Sequence, residues 1–547
     1  MLTKKARRIR GKRWTGIVAL ICVAASMIGC RPTAGVQSGD SSVSQTGSAG
    51  GDTTQSPLSS SGESVSVSGE STDQEVSDMT TTSFSGDGSG DRPGNSTTTT
   101  SQTTNTNPSV TPDPPSFNES VRRICGTFIQ PWLIAGWSQA RWDEECRMMS
   151  QAGMKYIILQ SITDLSYNTS ADLGQDPDAY TLSSALCLYP SSLPEFRGVN
   201  NGVDSLKHCL EACKKYGMQA IIGPVSDNRW WKYGWGMPKC PSGKTDVVKD
   251  SYMTAWVKEN ADISNRVAEE VMEKYGSTYG DQIYGWYYNN EIWNIDVACR
   301  GTDRGVYAQI LGESMNLVLR KYTSLTPGKP MMLSSFINPS LSTPQQCGKM
   351  WTDIFRYTEF RKGDIFSPQD SYGNNPTQDL EAWTKAYADA VKTKSGLLFW
   401  SNNENFRANA TVATLDSFVY QINTTAKYAS ANICFSWNHY FSPDQQNKGY
   451  NQAYLKYIRT GQLDTQAPTQ PKVTVSGKKI VVDSTDNDGL AGIRIYKDGT
   501  LVKTVHCRKD NNDAMFRTIT LSNNGNYSVE TYDFFGNASA RTAFTIS

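Results

Sequence analysis

The sequence predicts an α/β fold: a (β/α)8 TIM barrel followed by a small all-β sandwich, with a signal peptide and a disordered linker ahead of them. Three observations predict it. Between residues 125 and 460, short apolar runs alternate eight times with helix-period patterns, the count of a barrel with loop insertions. From 467 to 547 the apolar period changes to two, the mark of half-buried strands. Before about 118 there is almost no large apolar residue to bury.

The N-terminus reads as an export signal. Lys4, Lys5, Arg7, Arg8, Arg10, Lys12 and Arg13 precede an apolar run over 15–28, too short to span a bilayer. The run ends at Met27-Ile28-Gly29-Cys30, which resembles a bacterial lipobox whose Cys is lipidated. The resemblance implies a lipoprotein signal peptide over 1–30 and a protein exported to the outer face of the membrane, anchored through Cys30. An ordinary secretory signal is the alternative. Residues 31–118 are rich in Ser, Thr, Gly and Asp. They predict a flexible tether with a root-mean-square span of roughly 50 Å.

The barrel domain is expected over 119–465. Its strands are expected at 126–130, 154–160, 218–224, 282–289, 330–336, 364–369, 396–401 and 432–437. Trp142, Cys146 and Met149 mark the first helix, stopped at Gly153; Leu206, Leu210 and Cys213 mark the second, stopped at Gly217. A helix-Gly-Met-strand junction thus occurs twice. The longest insertion, 226–250, carries Trp230, Trp231, Tyr233, Trp235 and Pro238. That aromatic density predicts stacking platforms beside the cleft, or a small core of the insertion's own. The module at 467–547 has Asp498-Gly499 as a hairpin turn signal. It is similar to the immunoglobulin-like and fibronectin-III-like modules appended to exported bacterial glycosidases. With no cluster of aromatics, it reads as a spacer.

Composition excludes several classes. Lys+Arg and Asp+Glu both number 53, so there is no basic nucleic-acid footprint. With three His, a His-rich metal site is excluded, and no metal or other cofactor is expected. A Ser-His-Asp hydrolase would have to use His439, but no G-x-S-x-G occurs. Of 12 Cys, Cys22 and Cys30 belong to the signal, and the rest include core-like positions such as Cys209, Cys213 and Cys434. A monomer is expected.

Barrel chemistry sits where strands end. The expected ends carry Gln130, Gln160, Asp164, Asp227, Asn290, Glu291, Asn338, Gln369, Asp370, Tyr372, Asn403, Glu404, Asn438 and His439, with Trp132, Trp293, Trp400 and Trp437 beside them. A pair of carboxylates, amides for hydroxyls and aromatic faces for sugar rings compose a glycosidase cleft. Glu291 stands among Tyr288, Trp286 and Trp293, where burial would raise its pKa and suit it to general acid work. Each residue also has a bland reading: Glu291 and Glu404 as helix caps, Asp370 as a structural hydrogen-bonder, Trp293 and Trp437 as lids on the barrel.

The stretch from about 124 to 460 resembles the clan of retaining glycoside hydrolases with a (β/α)8 barrel. In that clan an Asn-Glu pair ends the fourth strand and a second Glu ends the seventh. The resemblance implies Glu291 as acid/base and Glu404 as nucleophile, although Glu404 lies four residues beyond Trp400, out along the expected loop. It implies Tyr372 as the nucleophile's hydrogen-bonding partner. Trp132, Asn290, Trp293, Asp370, Tyr372, Asn403, Trp437 and His439 are the expected carbohydrate contacts. The words Q-P-W, Y-N-N-E-I-W, P-Q-D-S-Y-G and W-S-N-N-E-N-F resemble more closely a bacterial family of unknown function with a glycosidase-like TIM barrel. The expected activity is glycoside hydrolysis on extracellular poly- or oligosaccharide. The alternative is a catalytically silent glycan-binding surface lipoprotein.

Overall fold

The computed structural model describes residues 116–169, 179–200, 202–233, 250–294, 304–407, 411–440, 442–443, 448–506 and 514–547. The signal, Cys30 and nearly all of the tether lie outside these residues, as do Trp235 and Pro238. Among the described residues no helix is long and apolar enough to cross a membrane.

Eight parallel strands close into a barrel: β1 Gly126–Ile129, β2 Tyr156–Leu159, β3 Gln219–Ile222, β4 Ile283–Tyr288, β5 Met331–Leu333, β6 Ile365–Phe366, β7 Leu398–Glu404 and β8 Ala431–Phe435. Each strand pairs with its sequence neighbours, and β8 pairs back onto β1, where Gly126 lies opposite Ile433. The outer layer is α1 Gln139–Gln151, α2 Ser205–Tyr216, α3 Asp250–Tyr279, α4 Arg304–Leu325, α5 Pro344–Tyr357, α6 Leu380–Lys392, α7 Leu415–Thr425 and α8 Lys448–Thr460. The two predicted helix-Gly-Met junctions are real stops. Gly153 and Gly217 sit at φ +84° and +65°, where a residue with a Cβ is strained.

The barrel interior is filled by one side chain from each strand: Phe128, Ile158, Ile221, Tyr287, Met332, Ile365, Trp400 and Ile433. Alternation along each strand sends the neighbouring residues outward against the helices, where Leu159, Ile222, Trp286, Leu333, Phe366, Phe399 and Cys434 join the larger core. This two-sided burial is why the strands read as near-continuous apolar runs.

Several strand ends differ from the sequence reading, and three of them bear on the site. β7 runs on to Glu404, three residues past its expected end, because Asn402, Asn403 and Glu404 pair with Ile433, Cys434 and Phe435 of β8. β6 is short, but the chain beyond it stays beside β7: Gln369 bridges Asn402, and Asp370 N donates to Asn402 O at 2.9 Å. β8 stops at Phe435, and Trp437 opens a short helix, Trp437–Tyr440. A three-stranded sheet absent from the sequence reading, Leu182–Cys187, Thr163–Tyr167 and Val225–Asp227, sits on the loops after β2 and β3.

The C-terminal region forms two antiparallel sheets. One is β9 Lys472–Ser476, β10 Lys479–Thr485 and β13 Ala514–Thr520; the other is β11 Leu490–Lys497, β12 Thr500–His506, β14 Gly525–Asp533 and β15 Thr542–Ile546. Ile480, Val482 and Ile519 of the first share one core with Ile493, Ile495 and Val529 of the second. This module touches the barrel through Leu415 N, which donates to Phe534 O at 2.8 Å, and through the Lys456–Asp488 ion pair.

Candidate active site

The C-terminal ends of β4 to β8 carry a buried carboxyl cluster. Glu404 is the last residue of β7 and is 3% exposed. Counting inward from Trp400 in steps of two, Asn402 and Glu404 face the barrel axis. The offset that seemed to carry Glu404 along a loop is therefore absent: the strand itself delivers it. Its Oε2 accepts from Gly373 N at 2.9 Å. Burial first, then the adjacent charge of Asp370, push its carboxyl well above the ordinary range; the Gly373 N–H opposes them, and the charge of Glu291 adds to the rise.

Glu291 lies three residues beyond β4, and Gln369 Nε2 reaches its Oε1 at 3.4 Å. Burial raises its carboxyl to about 7, against the Gln369 contact. Its charge also acts on the buried Tyr287 hydroxyl. Gln369 therefore links the two ends: its backbone bridges Asn402 on β7 while its amide holds Glu291.

Asp370 is spent within the protein. Its oxygens accept from Tyr372 N, Glu404 N and Asn403 Nδ2 at 3.1, 3.2 and 2.9 Å. Turning the Gln421 amide adds a fourth donor, at 2.8 Å. Burial raises Asp370 to about 6 despite these donors. The residue anchors the loop that carries Gly373; it offers no free oxygen to a sugar, which corrects its expected role as a substrate contact.

Four further expectations are corrected by the direction each side chain takes. Asn403 faces outward, opposite to Glu404, and donates to Asp370 and to Thr425 of α7. Asn290 is buried towards the helices, donating to Tyr288 OH at 3.0 Å and Asn260 Oδ1 at 3.5 Å, not into the mouth. Trp437 is fully buried in the outer core, and its indole N–H donates to the buried carboxylate of Glu145, which also accepts from Asn438 and Ser442. Tyr372 turns its ring to Tyr420, 5.7 Å between centroids, and to Arg407; the donor to Glu404 is the next residue's backbone.

Trp293 is 4% exposed and stacks on Phe336 at 4.9 Å, closing the barrel top between β4 and β5. Trp400 belongs to the interior layer, and Trp230 packs on Trp256 in the outer core. Asp227 is bound by Arg229 and by Trp256 Nε1. On the opposite rim, Trp132 is 46% exposed and lies 5.7 Å from His439. His439 Nε2 meets Gln130 Oε1 at 2.8 Å, and burial lowers its pKa to about 4, so it is neutral at pH 7.

Gly373 and Asn402 are the site-forming residues the sequence reading passed over, and Gln369, named there only as a strand-end residue, joins them. Gln369 and Gly373 lie in the P-Q-D-S-Y-G word and Asn402 in W-S-N-N-E-N-F, so the signal was present in both. Gly373 has the clearest physical mark. A Cβ there would stand 2.7 Å from Glu404 Oε2 and 2.9 Å from Phe406 O. Only glycine lets the backbone come this close to the carboxylate.

Comparison with known proteins places this site in context. No curated protein matches the chain significantly. Among solved structures, a provisionally assigned α-L-fucosidase from Bacteroides thetaiotaomicron is 18% identical, covering 63% of this chain and 96% of that one at a TM-score of 0.45. A β-glucuronidase from Bacteroides uniformis is 12% identical over 78% of this chain and 46% of its own, at 0.35. An intracellular xylanase from Thermoanaerobacterium saccharolyticum is 10% identical over 58% and 86%, at 0.33. None of the three reaches a TM-score of 0.5, and no residue role is carried over from them. Residues 124–447, more than half of the chain and the whole of the barrel down to the loop before α8, match the family described as Domain of unknown function (DUF4434), and the protein belongs to that family.

Proposed function

We propose that the protein is a glycoside hydrolase acting by double displacement, with Glu404 as nucleophile and Glu291 as acid/base. The observation that carries this reading is the pair itself. Two carboxyls lie at the ends of strands four and seven of the barrel, Glu291 just beyond the one and Glu404 closing the other, and the charge of Glu291 acts on Glu404. Glu291, raised to about 7, is protonated in roughly half of the molecules at neutral pH and can give that proton to a leaving glycosidic oxygen. Glu404 forms the bond to the anomeric carbon as that C–O bond breaks. Water then gives its proton to Glu291 and displaces Glu404. Glu404 attacks as the carboxylate; the Gly373 N–H and the charge of Arg407 favour that form against burial and Asp370, and the same N–H fixes the oxygen it bonds. Trp132 and His439 supply a rim face for a sugar ring.

The substrate class is a neutral poly- or oligosaccharide outside the cell. The sequence's basic n-region, apolar run and Cys30 support an exported, lipid-anchored protein, with the β-rich module as an immunoglobulin- or fibronectin-III-like spacer. Cys30→Ser is then expected to move the protein from the detergent phase to the aqueous phase, and unchanged partitioning sinks the anchor.

The decisive test is a panel of aryl glycosides and polysaccharides, wild type beside Glu404→Gln and Glu291→Gln. Turnover lost in Glu404→Gln but kept by Glu291→Gln on activated leaving groups supports the reading. Glycan binding without turnover in the wild type replaces it with the silent binding protein.

A further inference from the structure

At the join between barrel and β-rich module, three acidic side chains converge from separate segments. Asp464 lies in the linker after α8, Asp486 in the turn between β10 and β11, and Asp533 at the end of β14. One oxygen from each lies within 4.8 Å of the other two. The Asp486 side chain is 8% exposed, and its Oδ2 has no hydrogen-bond partner, although its Oδ1 accepts from Asp488 N at 2.9 Å. A buried carboxylate oxygen left without a donor is costly unless something binds it.

The surroundings organise the other two without neutralising them. Asp533 Oδ1 accepts from Phe535 N and Asn537 N, and its Oδ2 from Asn537 Nδ2. Asp464 Oδ1 accepts from Gln466 N and its Oδ2 from Asn487 Nδ2. The nearby Lys456 is engaged by Asp488. Among the described residues, none of the three carboxylates makes an ion pair with Lys or Arg.

We propose that Asp464, Asp486 and Asp533 form a calcium site that ties the linker to the β-rich module. All-oxygen, carboxylate-rich donors select a hard cation. Three oxygens within 4.8 Å of one another can share one cation, and Ca2+ accepts an irregular set of carboxylates where Mg2+ demands near-ideal octahedral geometry and keeps its waters. Water would complete the coordination sphere. Burial raises Asp533 to about 6 and lifts Asp486 as well, the charge of Asp464 adding to the latter. A bound dication reverses that cost. The scarcity of His bears only on imidazole-rich sites and leaves this one open.

The test is calorimetric titration of the full chain after EDTA treatment and dialysis, with CaCl2 and separately with MgCl2. Saturable binding of Ca2+ at one per chain, at least tenfold tighter than Mg2+, is expected. Asp486→Asn and, independently, Asp464→Asn should each weaken Ca2+ binding at least tenfold with unchanged far-UV circular dichroism. Asp483→Asn, which removes an equal charge elsewhere in the module, should bind as the wild type does. Asp464 lies in a linker, so its variant keeps the test open if Asp486→Asn misfolds. Absence of saturable binding in the wild type overturns the site, as does unchanged binding in Asp464→Asn. Equal affinity for Mg2+ overturns the calcium assignment.

Discussion

Gly373 donates its backbone N–H to Glu404 Oε2 at 2.9 Å, and the space a Cβ would need at 373 is filled by that same oxygen. One residue thus holds the candidate nucleophile and admits no side chain of its own. Gly373→Ala must push the Glu404 carboxylate away or move the loop. Loss of a hydrogen bond to a charged group corresponds to about 1.5–3 kcal/mol. Turnover should fall on the order of 10- to 100-fold, with circular dichroism unchanged. Wild-type kinetics in this variant would mean that the contact is irrelevant to chemistry.

Glu291 should set the alkaline limb of the pH–rate profile. Its carboxyl is raised to about 7 by burial, so protonated acid is lost as pH climbs through that value. The wild type should lose activity above about pH 7 on substrates with poor leaving groups. In Glu291→Gln, the residual activity on activated aryl glycosides should lack that limb. A limb that survives the substitution belongs to another group.

The same shift predicts a stability effect. A carboxyl whose folded pKa lies above its unfolded value favours the folded state at low pH. That contribution is lost as pH rises from about 4.5 to about 7. The change corresponds to at most about 3 kcal/mol, because Glu291 keeps some contact with solvent. Glu291→Gln should therefore match the wild type in Tm near pH 4.5 and exceed it by several degrees at pH 8. Its new amide can still accept from Gln369. Equal Tm values at both pH values would refute the burial argument.

Asp370 is the hub of the loop that carries Gly373. Asp370→Ala leaves Tyr372 N, Glu404 N and Asn403 Nδ2 without their acceptor inside the protein. Each orphaned buried donor costs about 1–3 kcal/mol. The variant should lose at least about 3 kcal/mol in denaturant unfolding and nearly all activity. A stable Asp370→Ala enzyme would require another group to satisfy those donors.

Trp132 is the exposed ring at the rim, beside His439. Trp132→Ala should raise KM for a soluble glycan several-fold, with kcat little changed, since a remote ring contributes binding more than chemistry. A fall in kcat alone, at constant KM, would argue against a stacking role.

Eight strand–helix units, their order and the two helix stops were legible in the sequence because buried parallel strands are apolar on both faces and helices end where only glycine accepts the backbone turn. The β-rich module was legible for a similar reason: its strands alternate in period two. The placement of Glu404 on β7, the outward turn of Asn290 and Asn403, and the burial of Trp437 beneath the rim were decided by tertiary structure alone. In a polar run such as Ser401-Asn402-Asn403-Glu404, composition is silent about where the strand stops and which residue points inward. Both follow from pairing with the next strand. That register carries β7 to Glu404, sends Asn403 to Thr425, and leaves the carboxylate facing the barrel axis. The meeting of Glu404 with Gly373, 31 residues apart, likewise exists only once the barrel has closed the distance.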